Sequence, residues 1–90
     1  MAKTRIRNIK NVMLGRFFKE KRIEASLSQV YIASSLGYDS PQMVSNWERG
    51  LCAPPYDALK KIVELYGLSK KEVVEIFSDA TKEELKALLK

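Results

Sequence analysis

The punctuation of this chain constrains its fold most. Gly37, Gly50 and Gly67 each follow a segment whose apolar residues recur at helical spacing, and Ser28, Ser40–Pro41 and Ser69 each precede one. Serine suits a helix N-cap, because its hydroxyl accepts from an amide that the first turn leaves unpaired. Proline suits the next position, where a missing N–H costs nothing. Glycine suits the residue after a helix, where the chain turns left-handed. No β-type alternation, Asn-Gly turn or internal repeat interrupts this pattern, so the segments read as helices.

Residues 1–10 lack a clear period and read as a basic arm that includes Lys3, Arg5 and Arg7. A first helix is expected over 11–25, with Leu14, Phe17, Phe18 and Ile23 as its apolar set. "SLS" breaks it, and Ser28 caps a second helix over 29–36 that buries Ile32, Ala33 and Leu36. "YDS" turns the chain. Ser40 then serves as N-cap and Pro41 as first residue of a third helix, which Gly50 closes. "LCAPP" reads as an extended loop, since a residue before proline avoids the helical region. A fourth helix, 55–66, carries Leu59, Ile62, Val63 and Tyr66. Ser69 and Glu72 form a capping box for a fifth, which buries Val73, Ile76 and Phe77. Thr81 and Glu84 repeat the device for a short extra C-terminal helix. The expected fold is all-α, with an arm at 1–10, a helical domain at 11–78 and a terminal helix at 79–90. Within it, two helices of about eight residues flank a four-residue turn containing Gly37, the spacing of a helix-turn-helix.

Composition narrows the function. Ninety residues suit one domain, and no apolar run is long enough to span a membrane or serve as a signal peptide. With no histidine and a single cysteine, Cys52, an internal disulfide and the usual zinc sites are excluded, and the commonest general base is missing. Neither an enzyme, nor a cofactor, nor a small-molecule ligand is expected, and the lone thiol fits a reducing cytoplasm. The charge is uneven. Residues 1–22 hold eight Lys/Arg against Glu20 alone, a net +7, and the remainder holds eight against ten, a net −2. That asymmetry points to a polyanionic partner met by the N-terminal part.

The third helix has two faces. Helical spacing puts Val44 and Trp47 on one and Gln42, Ser45, Asn46 and Arg49 on the other. Gln42 and Asn46, four residues apart, each offer a bidentate amide, which matches N6 and N7 of adenine in the DNA major groove. Ser45 shares their face. Met43 either packs inside or offers its methyl to thymine.

"LSQVYIASSLG", "VSNWERG" and "PPYDALKKIVELYGLSKKEV" together resemble the Cro/repressor-type (XRE-like) helix-turn-helix family over roughly residues 14–77. The resemblance implies a five-helix, lambda-repressor-like DNA-binding domain that lays its third helix in the major groove of double-stranded DNA. It also implies that Gln29 grips a phosphate or braces helix three, and that Arg22 and Glu48 form a structural ion pair between helices one and three. Arg49, with Lys19 or Lys21, is placed to reach flanking phosphates. The turn between helices two and three is one residue longer than the family's commonest form, which leaves Tyr38 and Ser40 as phosphate contacts and Asp39 to brace the turn. The expected function is a sequence-specific transcriptional regulator of bacterial or phage type, working in the cytoplasm. The alternative is a protein-interaction module, an antitoxin or accessory factor, on the same fold. Leu85, Leu88 and Leu89 are either a homodimer patch or a face packed on helix five.

Overall fold

The computed structural model describes residues 8–90, so the arm residues Lys3, Arg5 and Arg7 lie outside it. Five helices follow one another: α1 (Ile9–Glu24), α2 (Gln29–Ser35), α3 (Gln42–Glu48), α4 (Tyr56–Tyr66) and α5 (Lys70–Leu88). No strand occurs among the described residues, and no helix there is long and apolar enough to cross a membrane.

Local chemistry sets most boundaries. Ser28 Oγ accepts from Tyr31 N at 3.0 Å and starts α2. Ser69 and Glu72 form the reciprocal capping box of α5, Ser69 Oγ accepting from Glu72 N and Glu72 Oε2 from Ser69 N. Four helices end on the same pair of bonds, in which the residue with positive φ and the one after it donate back to the last turn. At the end of α3, Gly50 N donates to Trp47 O (3.1 Å) and Leu51 N to Asn46 O (3.0 Å). Gly37 and Gly67 close α2 and α4 in this way. At α1 the left-handed position falls to Ser26, with φ of 61°, the one non-glycine residue with positive φ among those described.

Three departures from the sequence reading have a visible physical cause. First, α1 begins at Ile9, inside the expected arm, because Asn8 Oδ1 accepts from Asn11 N at 3.0 Å and caps it. Second, α3 begins one residue later than expected. Ser45 N bonds to Pro41 O, so proline occupies the cap, while Ser40 Oγ still accepts from Gln42 N at 3.3 Å. Third, no separate C-terminal helix exists: 79–88 continue α5 without a break. The stretch from Lys70 to Leu88 holds no glycine or proline, and fully buried Ala80 pins its middle to the core. The Glu84 carboxylate accepts from the Asn8 amide instead of capping a new helix.

The core gathers Leu14 and Phe18 of α1, Ile32 and Ala33 of α2, Val44 and Trp47 of α3, Ala58, Ile62 and Tyr66 of α4, and Ala80 of α5. Phe18 meets Phe17, Tyr66 and Phe77 edge-on. Leu36, Leu59, Ile76 and Phe77 pack around this cluster, half-buried. Ile23, expected inside, is 55% exposed. It lies nine residues past Leu14, and at about 100° per residue that is half a turn round α1. Leu88 and Leu89 are also open to solvent.

Candidate nucleic-acid interface

α3 is seven residues long, too short to hold its shape alone, so its position depends on what grips it. Val44 and Trp47 drive its inner face into the core, at 0% and 2% exposure. The Trp47 ring meets Tyr38 edge-on, with centroids 6.0 Å apart. Its Nε1 is buried without a hydrogen-bond partner among the described residues. α1 comes against the end of α3 at a contact that only glycine permits: a Cβ on Gly15 would stand 2.2 Å from Trp47 O. A Cβ on Gly50 would likewise meet Val12, 2.9 Å from its Cγ2.

A polar clamp completes the grip. Arg22 Nε lies 2.6 Å from Glu48 Oε2 and its Nη2 3.1 Å from Oε1, a bidentate pair across α1 and α3. The third guanidinium nitrogen donates to Leu27 O at 2.7 Å, in the link before α2. Gln29 Nε2, from α2, donates to Glu48 Oε1 at 2.8 Å. Glu48 thus ties three helices together with its side chain only 3% exposed, against 11% for Arg22. Hydrogen bonding to Glu48 raises the pKa of Arg22 above its ordinary value, so the guanidinium stays charged. Burial pushes the neighbouring Tyr66 phenol well above its ordinary value, and the Glu48 charge adds to the effect.

The opposite face of α3 is open. Gln42, Met43 and Arg49 are exposed, and Ser45 and Asn46 are half-buried. Three of these side chains touch: Gln42 Nε2 donates to Asn46 Oδ1 at 3.0 Å, and Arg49 Nη2 donates to the same oxygen at 2.8 Å. Met43, left open between two readings by the sequence, is 37% exposed.

The remaining residues singled out by sequence fall in different settings. The Gln29 amide is on Glu48, so of its two expected roles the structure presents the bracing one. The Tyr38 ring is packed on Trp47, and the Ser40 hydroxyl accepts from Gln42 N. Asp39 is exposed, and the turn is closed instead by Gly37 N and Tyr38 N, which donate to Ser34 O and Ala33 O. Lys19 is exposed. The Lys21 ammonium faces α5. It lies 3.3 Å from Glu72 and 3.6 Å from Glu24, and 5.6 Å from the centre of the Phe17 ring. Hydrogen bonding to Glu72 is the main reason that the Lys21 pKa rises, and the Ser69 amide and Lys21 together lower that of Glu72.

Sequence reasoning missed Gly15, Asn8 and the bonds among Gln42, Asn46 and Arg49. The i, i+4 and i, i+3 spacing of the last three was the available signal.

A family model described as a helix-turn-helix domain matches residues 13–76, more than two thirds of the chain. No curated protein and no solved structure matches it.

Proposed function

The chain belongs to the helix-turn-helix domain family, and on that premise we propose that it is a sequence-specific transcriptional regulator that lays α3 in the major groove of double-stranded DNA. One observation carries this reading: α3 keeps its anchoring residues and its exposed polar residues on separate faces, so the outer set is free to meet a ligand. The major groove admits a helix and offers donor and acceptor patterns that amide and guanidinium groups match. Gln42, Met43, Ser45 and Asn46 are the proposed base readers. Lys19, Ser40 and Arg49 supply backbone contacts, with lesser parts for Gln29, Tyr38 and Lys21, whose polar groups or rings already have partners. Regulation follows from occupancy of an operator, without catalysis, in the cytoplasm of a bacterial cell. The finer kinship is with the Cro/repressor-type (XRE-like) branch.

A homodimer on a two-fold operator is part of this proposal. Leu85, Leu88 and Leu89 on α5 are 48%, 73% and 77% exposed, an apolar strip suited to a second copy. Half-sites would then lie about 34 Å apart, one turn of DNA. The same strip favours the second reading, a protein-interaction module on this fold. Selection from a random duplex library separates the two. An enriched sequence is expected, bound with an affinity that falls steeply with salt, at a log–log slope of about −4 to −5 for roughly five phosphate contacts. No enrichment and a flat salt response would move the interaction module ahead.

A further inference from the structure

We infer that Gln42, Asn46 and Arg49 read DNA as one unit, with Asn46 as a donor to guanine, not a bidentate partner of adenine. This rests on the DNA-binding reading proposed above and gives it a base preference. Asparagine recognises adenine by accepting from N6 through Oδ1 while donating to N7 through Nδ2. A carbonyl oxygen has two lone pairs. At Asn46 both are taken, one by Gln42 Nε2 at 3.0 Å and one by Arg49 Nη2 at 2.8 Å. The second bond is charge-assisted, and such bonds are about twice as strong as neutral ones. Binding adenine at Asn46 would break one of the two.

What the unit leaves outward is therefore asymmetric. Asn46 keeps only its Nδ2 donors. Arg49 keeps the rest of its guanidinium donors, three residues or about one turn further along the same face. A donor-only surface matches the acceptors N7 and O6 of guanine, and arginine to guanine is the commonest specific contact in the major groove. Gln42 keeps Oε1 free as well as one N–H, so it alone of the three retains an acceptor for adenine N6 or cytosine N4. The adenine preference that sequence spacing assigns to both amides is thus left with Gln42, and Arg49 becomes a specificity residue.

The test uses the full chain and the site selected from a random duplex library. The selected site is expected to carry guanine at the Asn46–Arg49 end. Asn46→Ala should flatten the preference at the base pairs met by Gln42 and Arg49 as well as its own. Arg49→Lys keeps the charge but not the fork, and should lower affinity for that site about 10-fold or more, where a plain phosphate contact would lose little. The double change Asn46→Ala with Arg49→Ala should cost about as much as the larger single change, because the two act together. Adenine selected under Asn46, with losses that multiply, would overturn the inference while leaving DNA reading intact. Absence of any selected site would remove both. All three side chains lie outside the core, so thermal melting of each variant should match the parent.

Discussion

Glu48 offers the sharpest trial of how this domain holds α3. Its two oxygens accept from Arg22 Nε, Arg22 Nη2 and Gln29 Nε2, and its side chain is 3% exposed. Glu48→Ala removes the acceptor for all three and leaves a guanidinium at 11% exposure with one protein bond, to Leu27 O. Breaking a buried pair from one side costs about 3–5 kcal/mol. The surviving bond and the half-buried Gln29 favour the low end, about 3 kcal/mol. For a domain of this size each kcal/mol lowers the Tm by roughly 4–8 °C. Trp47, the single tryptophan, is buried and precedes Glu48 on α3, so it gives a fluorescence probe for urea unfolding. Arg22→Met should cost a similar amount. The double variant Arg22→Met with Glu48→Ala leaves neither charge unpaired and should cost about 4 kcal/mol, about 2 kcal/mol less than the two single losses taken together. Losses that add to within about 0.5 kcal/mol would refute the reasoning, since the two groups would then be acting separately.

The left-handed Ser26 is a built-in defect in a turn that glycine fills elsewhere, so Ser26→Gly should stabilise the domain by about 0.5–1 kcal/mol in the same unfolding assay. Gly15→Ala places a methyl against the Trp47 carbonyl. It should cost at least about 2 kcal/mol, or prevent folding, as read by circular dichroism. Glu72 has a pKa lowered in the folded state, so its contribution is present above its ordinary 4.5 and is lost as pH falls through the lower folded value. Glu72→Gln should flatten that acidic part of the Tm–pH curve, and an unchanged curve would show that the capping box and the Lys21 pair contribute nothing there.

The identity of the helices was legible because their limits are local. A serine hydroxyl on an amide, or a glycine in a left-handed turn, needs only neighbours in sequence, and Ser28, Gly37, Gly50, Gly67 and Ser69 act as their chemistry predicts. The capping box at Ser69–Glu72 and the letters Thr81–Glu84 look alike, yet only the first forms. Gly67 has already ended α4 before Ser69, whereas nothing ends α5 before Thr81. A capping motif works where the chain has another reason to stop. What stayed hidden depends on distant partners. The need for Gly15 comes from the backbone of α3, and Asn8 reaches Glu84 across 76 positions. At the candidate interface the sequence marked the outer residues of α3. The competition for one oxygen of Asn46 depends on rotamers that spacing does not fix.

The division of α3 into two faces also bears on how such a protein changes over time. Val44, Trp47 and Glu48 seat the helix, while Gln42, Ser45, Asn46 and Arg49 are the outer set. Because the two sets share no residue, the outer set can be exchanged without disturbing the seat. Exposed substitutions away from caps and core usually alter stability by no more than about 0.5 kcal/mol. If α3 reads DNA as proposed, a duplicated copy of this chain would therefore begin its divergence with target choice and fold nearly uncoupled. It could acquire a new target in a few steps without passing through an unfolded intermediate. The bonds joining Gln42, Asn46 and Arg49 add one restriction: those three positions would be expected to change together.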